Sequence, residues 1–233
     1  MKAYYIFGLQ RTGTYWLEKT WTANFFQSQC SNREFGIWVN KSLPWKHLVE
    51  PENANFEPDI PSLVIIKNPY TWIESIIFRN PVDFFETQSL YEQYKTPEDI
   101  LVRGISVDAL AKIWNRFYMH WVFQKHESIC YDNIFIFRFE DLINPKVNAN
   151  LVRMAYKKLG FEPEREEILK THSWVKPDDI FFWPPLSIDK DYDVNSERYY
   201  VEERPKQLTA AQTARITETL HTYTMIKMGY QPL

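Results

Sequence analysis

One stretch near the start of the chain, residues 6–16, limits the folds that this sequence can adopt. An apolar run over residues 3–7 leads into it and predicts a buried strand. From Thr14 to Phe26 apolar residues follow at close to helical spacing and predict a helix. A glycine-containing turn between a strand and a helix directs backbone N–H groups and the positive end of the helix dipole at an anion. The stretch therefore predicts a phosphate-binding turn, or else a tight turn that holds no ligand.

The glycines of this stretch have the spacing of an ATP-binding phosphate loop without its chemistry. Gly8 and Gly13 are separated as in the pattern G-x-x-x-x-G-K-[ST]. Thr14 and Tyr15, however, occupy the positions of the lysine and of the hydroxyl that holds Mg²⁺. Arg11 adds a permanent positive charge to the turn. The pattern weakens the case for ATP hydrolysis and leaves an atypical phosphate-loop kinase as an alternative.

A second strand–turn–helix unit follows the strongest strand pattern of the chain. Residues 62–67 are a run rich in β-branched side chains, which is typical of the interior of a parallel sheet. Pro69 and the apolar residues after it predict that a helix begins there. Lys67 at the strand end and Ser75 on the helix can then bind one phosphate at the carboxyl edge of the sheet. A proline-initiated helix without a ligand is the alternative.

The two units together resemble the nucleotide-binding motifs of the sulfotransferase family. The first resembles the family's 5′-phosphosulfate loop over Arg11, Thr12, Gly13, Thr14, Tyr15 and Trp16. The second resembles the 3′-phosphate motif Arg-Asn-Pro-x-Asp-x-x-x-Ser, with Lys67 for arginine, Thr71 for aspartate and Ser75 in place. The resemblance, to bacterial or phage-like members, implies that residues 11–16, Lys67 and Ser75 bind 3′-phosphoadenosine 5′-phosphosulfate (PAPS).

The resemblance also implies two catalytic residues. Arg11 corresponds to a cation that stabilises negative charge on the leaving 5′-phosphate oxygen. Many cytosolic members carry a base histidine in a Lys-x-His-Leu-Pro segment between the two loops. This chain has Lys41-Ser42-Leu43-Pro44 there, without a histidine in the match, and His47 follows three residues after Pro44 as the candidate base. An imidazole with a pKa near its reference value of ~6.5 can accept a proton at neutral pH. A solvated loop histidine is the alternative, and Glu50 and Glu74 are rival bases. The family reaction needs no metal, so none is expected.

Downstream patterns extend the resemblance over most of the chain. A predicted strand at 133–139 precedes Glu140 and Asp141, as in the family signature Tyr-Glu-Asp-Leu, with Phe139 in place of tyrosine. These two carboxylates are either part of the site or structural acceptors of backbone N–H groups. In the family, a segment near residues 173–204 folds over the nucleotide. The candidates for such contacts are Arg198, Tyr200 and Arg204.

Further helices are predicted from periodicity and capping residues. Ser106 is expected to cap a long helix over 106–127, and Gly160 to end another over 148–159. The pattern at 209–228 predicts one amphipathic helix like the C-terminal helix of bacterial-type members. Residues 79–104 show little periodicity and are expected to form a loop, either lining the acceptor pocket or packed on the core.

Length and composition set the remaining expectations. The chain has 233 residues, 45% of them hydrophobic and 17% aromatic, which suits one α/β domain over residues 1–233. The net charge of −3 argues against general nucleic-acid binding. No apolar run approaches the ~20 residues of a membrane span, and the first predicted strand leaves no room for a signal peptide. Together with two cysteines that lack metal spacing, these features lead us to expect a cytoplasmic protein.

The sequence thus predicts a single-domain, three-layer P-loop-like α/β fold with a central parallel sheet flanked by helices. The resemblance predicts an enzyme that moves a sulfuryl group from PAPS to a hydroxyl or amine and releases adenosine 3′,5′-bisphosphate (PAP). The acceptor can be a small molecule, a carbohydrate or a lipid. A catalytically silent PAP- or nucleotide-binding module is the alternative besides the kinase.

Overall fold

The structure is a computed structural model. It describes residues 2–9, 12–25, 28–31, 47, 57, 59–79, 88–119, 131–144, 147–163 and 207–233. Everything below refers to these residues. The sequence also predicts a short strand at 34–38 and a short helix at 164–172, and both of these segments lie outside the described residues, as do Arg198, Tyr200 and Arg204.

A parallel sheet forms the centre of the described residues. Its strands are β1 (Lys2–Phe7), β2 (Ser28–Cys30), β3 (Ser62–Ile66) and β6 (Ile134–Arg138), in the spatial order β2–β1–β3–β6. The register places Tyr5 opposite Ser62, and Ser62 opposite Ile134. A separate antiparallel hairpin joins β4 (Leu101–Val102) to β5 (Ile105–Ser106).

Eight α-helices lie in the described ranges. They are α1 (Thr14–Asn24), α2 (Pro69–Arg79), α3 (Gln88–Tyr94), α4 (Val107–Tyr118), α5 (Phe139–Leu142), α6 (Asn148–Leu159), α7 (Ala210–Thr219) and α8 (Thr222–Lys227). The side chain of Ser106 caps α4 by accepting from the N–H of Ala109, and Gly160 ends α6 with φ 65°, as the sequence predicts.

Helices cover both faces of the sheet because the strand side chains alternate between two cores. Tyr4 and Ile6 pack with apolar residues of α1 and α6. Tyr5 and Phe7 point the other way and pack with apolar residues of α2, α4, α7 and α8. Such two-sided burial explains the nearly continuous apolar character of β1 and β3. The α/β class and the parallel sheet flanked by helices are therefore confirmed.

The prediction of one C-terminal helix over 209–228 is wrong, because this segment forms two helices, α7 and α8. Leu220 has extended backbone angles between the two helices. Asn115 of α4 bonds to both sides of this break: its Nδ2 donates to the carbonyl of Thr219 at 2.9 Å, and its Oδ1 accepts from the N–H of His221 at 2.9 Å. A side chain distant in sequence thus takes the backbone groups that a continuous helix would pair internally.

The prediction of a loop over residues 79–104 is also wrong in part, because α3 and the first strand of the β4–β5 hairpin lie within this range. Arg103 and Gly104 form the hairpin turn with φ values of 51° and 80°, and such positive angles explain the two-residue connection. In the described part of the chain, no helix is long and apolar enough to cross a membrane.

Candidate functional site

Two strand–helix turns meet at the carboxyl edge of the sheet. The first loop (residues 8–13) follows β1 and leads into α1, and the second loop (residues 67–68) follows β3 and leads into α2. Strands β1 and β3 are neighbours, but the chain leaves β1 toward β2 on one side and β3 toward β6 on the other. Open α/β sheets bind ligands at such a switch point.

The first loop is shaped by close backbone packing. Gly13 has φ 91° and is the N-cap residue of α1, and among the described residues no side chain caps this helix. A Cβ on Gly13 would lie 2.7 Å from the ring of Phe139, and a Cβ on Gly8 would lie 2.6 Å from Ile65. Glycine is therefore required at both positions. The first N–H groups of α1 have no carbonyl partner within the helix, so they are suited to an anion.

Thr12 has a structural hydrogen bond within this loop. Its hydroxyl donates to the carbonyl of Leu9 at 2.6 Å, and its backbone N–H points to the same oxygen at 3.1 Å. The side chain of Thr12 is fully buried and that of Thr14 nearly so. Both donors of Thr12 thus hold the turn, and Gly13 and the first residues of α1 carry the N–H groups best placed for a ligand.

The backbone N–H groups from Asn68 to Trp72 donate their hydrogen bonds to acceptors within the protein. The N–H of Asn68 donates to Oε1 of Glu140 at 2.8 Å. The Asn68 side chain caps α2: its Oδ1 accepts from the N–H groups of Tyr70 at 3.0 Å and Thr71 at 3.3 Å. Pro69 has no N–H, and the N–H of Trp72 donates to the carbonyl of Asn68. An anion at this loop must therefore be bound by side chains.

Lys67 is the cation placed at the second loop. Its side chain is only 6% exposed, and its Nζ lies 5.2 Å from the centre of the Phe139 ring. Phe139 also packs against Gly13 and lies 6.5 Å from the ring of Trp16. The Phe139 ring therefore lies between the two loops. It packs against Gly13 of the first loop and lies near the Lys67 ammonium of the second.

Ser75, the hydroxyl predicted to complete the second site, lies nearly two turns into α2. It is 6% exposed, and its Oγ donates to the carbonyl of Trp72 at 2.7 Å. To donate to a phosphate, the hydroxyl has to rotate away from that carbonyl. The net contribution of Ser75 to phosphate binding is reduced by that lost hydrogen bond.

His47 lies beside the first loop. Its Nδ1 is 2.7 Å from the carbonyl oxygen of Gly8. Because a carbonyl oxygen only accepts, Nδ1 carries the proton in this hydrogen bond, and the neutral ring then has Nε2 as its acceptor nitrogen. The rival carboxylate Glu74 instead accepts a hydrogen bond from the backbone N–H of Gln207.

Glu140 is enclosed between the second loop and the C-terminal turn. Its Oε2 accepts from the hydroxyl of Tyr230 at 2.8 Å, while Oε1 accepts from Asn68. Burial raises the pKa of the Glu140 carboxyl, and these hydrogen bonds and the charge of Lys67 offset only part of that rise. Burial also raises the pKa of Tyr230 well above its usual value, which keeps it a donor. The structural alternative for Glu140, an acceptor of backbone N–H, is confirmed.

Some predicted site residues lie outside the described part of the chain. They are Arg11 and Glu50, together with the side chain of Tyr15. Among the described residues, no group of three or more His, Cys, Asp or Glu side chains could hold a metal ion. The resemblance gave no role to Asn68, Trp114 or Tyr230. Of these three residues, only Asn68 has a local signal in the sequence, because an asparagine directly before Pro69 is a typical helix cap.

No protein-family model matches the chain, and a search of curated proteins finds no match. The functional assignment therefore depends on the motifs and on the geometry of the site.

Proposed function

We propose that the protein is a PAPS-dependent sulfotransferase with a single P-loop-like domain. The observation that carries the proposal is the position of the two loops. They follow adjacent parallel strands at a switch point of the sheet, and Phe139 contacts Gly13 of one and lies near Lys67 of the other. PAP carries two phosphates on one ribose, and two neighbouring anion sites suit such a ligand.

The two loops take different phosphates in this proposal. The N–H groups at the start of α1, with Arg11, bind the 5′-phosphosulfate, as the family resemblance implies for the first motif. Lys67 binds the 3′-phosphate as a compact positive charge, assisted by Ser75. Trp16 lies near Phe139 at the edge of the same site.

The reaction is a direct transfer of the sulfuryl group. The acceptor oxygen or nitrogen forms a bond to sulfur while the bond between sulfur and the bridging 5′-phosphate oxygen breaks. The electron pair of that bond stays on the phosphate of PAP, where Arg11 and backbone N–H groups stabilise the charge. Nε2 of His47 accepts the proton of the acceptor, because Nδ1 holds its own proton against Gly8.

Ligand binding to the purified protein tests this proposal. Calorimetry should give tighter binding of PAP than of AMP, which lacks only the 3′-phosphate, and no requirement for Mg²⁺. Incubation with PAPS and a panel of phenol, carbohydrate and lipid acceptors should release PAP. Mg²⁺-dependent ATP binding without a preference for PAP would favour the kinase alternative, and PAP binding without any turnover would favour a silent binding module.

A further inference from the structure

A single peptide group of the second loop is held from both sides. The carbonyl oxygen of Lys67 accepts a hydrogen bond from Nε1 of Trp114 at 3.0 Å. The N–H on the other side of the same peptide bond, that of Asn68, donates to Glu140 at 2.8 Å. Since a peptide group is planar, two hydrogen bonds at opposite edges fix the orientation of that plane.

These two hydrogen bonds hold the backbone at the end of β3, and with it the Cα from which the Lys67 side chain starts. Lys67 is the last residue before α2 to carry a positive charge, and its side chain is almost fully buried. A buried lysine has few alternative rotamers in which its Nζ reaches the ligand. A displacement of this backbone would therefore move Nζ away from Phe139 and from the anion between the two loops.

Glu140 is itself held by the C-terminal turn. Tyr230 donates to its second oxygen, and the guanidinium of Arg138 lies 4.6 Å from the centre of the Tyr230 ring. A Cβ on Gly229 would lie 2.9 Å from Nη1 of Arg138, so this turn packs closely on β6. The carboxylate therefore has both oxygens engaged and a fixed rotamer.

We infer that Glu140 and Trp114 are positioning residues that aim Lys67 at the 3′-phosphate of the nucleotide, through the peptide group between Lys67 and Asn68. This inference rests on the proposed function. Glu140 acts through its geometry as an acceptor. Its negative charge is not required, and it does not touch the ligand. The discrimination of PAP from AMP is the property that it controls.

Substitution of Glu140 separates this role from a general effect on stability. The ratio of the dissociation constants for AMP and PAP should fall about tenfold in Glu140→Ala, because the buried N–H of Asn68 loses its partner. The affinity for AMP should stay within about twofold of wild type, since the first loop is unchanged. Glu140→Gln keeps an acceptor for Asn68 and should retain most of the ratio. Glu162→Ala, which removes an exposed carboxylate after α6, is the control and should retain all of it.

Each outcome of these titrations decides the inference. A wild-type ratio in folded Glu140→Ala overturns it, and so does an equal loss in Glu140→Gln, which would assign the effect to charge. Should Glu140→Ala fail to fold, Trp114→Phe removes the other hydrogen bond to the peptide group and must lower the ratio in the same way. A wild-type protein that binds AMP and PAP equally would instead overturn the proposed function together with the inference.

Discussion

The first loop and the second loop both connect a parallel strand to a helix, but their backbone N–H groups have different partners. No side chain in the described part of the chain caps α1, whereas Asn68 caps α2 and donates its own N–H to Glu140. The helix dipole favours an anion at both places. In the proposed function the phosphate donors of the first loop are therefore backbone groups, and those of the second loop are the side chains of Lys67 and Ser75. The proposal thus assigns two different ways of binding phosphate to two similar turns.

The largest expected effect concerns His47, which lies beside the first loop. His47→Ala should lower turnover by about 10²–10⁴-fold, because the acceptor then loses its general base. PAP affinity should change little, since neither phosphate site is altered. Steady-state kinetics and calorimetry together measure this separation. His221→Ala removes a histidine whose Nδ1 pairs with Thr224, and it serves as the control that should leave turnover unchanged.

The next effect tests the backbone donors of the first loop. Gly13→Ala forces a side chain into left-handed angles and against the ring of Phe139, so it should weaken AMP and PAP alike by at least tenfold. Gly104→Ala places a side chain at a similar positive φ with nothing within 4 Å. It should cost about 1–2 kcal/mol of folding stability and leave nucleotide affinity intact. Calorimetry that finds the two variants equal in AMP affinity would contradict the role given to the first loop.

Asn68 tests the cap of the second loop. Asn68→Ala frees the N–H groups of Tyr70 and Thr71 and should lower the free energy of unfolding by about 0.5–2 kcal/mol. Asn68→Asp keeps the acceptor and should lose less. Thr209→Ala removes the cap of α7 and should show a similar loss of stability with no change in PAP binding. Chemical denaturation measures these changes, and an unchanged Asn68→Ala would show that the cap is not needed.

The smallest expected effect is that of Ser75. Ser75→Ala should reduce PAP affinity by only about two- to tenfold and leave AMP affinity unchanged, because the hydroxyl exchanges one hydrogen bond for another when it turns to phosphate. Thr20→Ala removes a comparable hydroxyl, bonded to the carbonyl of Trp16 in α1, and should have no effect on either ligand. A loss above a hundredfold in Ser75→Ala would make the serine, and not Lys67, the main ligand.

Local signals explain why both loops could be predicted from the sequence. Gly13, Pro69 and Ser106 act within a few residues of where they stand, so the turn after β1 and the starts of α2 and α4 follow from short patterns. Nearly continuous apolar runs, which are buried on both faces of the sheet, likewise predicted β1 and β3.

The groups that hold the second loop could not be predicted, because they come from distant parts of the chain. Trp114 is 47 residues from its partner Lys67, and Glu140 is 72 residues from Asn68. The break between α7 and α8 has the same origin, since Asn115 of α4 pairs with the backbone there. Periodicity in a single segment carries no information about such contacts.

Scalar couplings across hydrogen bonds test the central claim most directly. In ¹⁵N-labelled protein saturated with PAP, the 5′-phosphorus should couple to backbone amides at the start of α1, with Gly13 and Thr14 the first to inspect. The 3′-phosphorus should couple to none of the amides of residues 68–72, because those of Asn68, Tyr70, Thr71 and Trp72 already have protein acceptors. A coupling between the 3′-phosphorus and the amide of Tyr70 or Thr71 would contradict the account, since it would mean that both loops bind phosphate through their backbone.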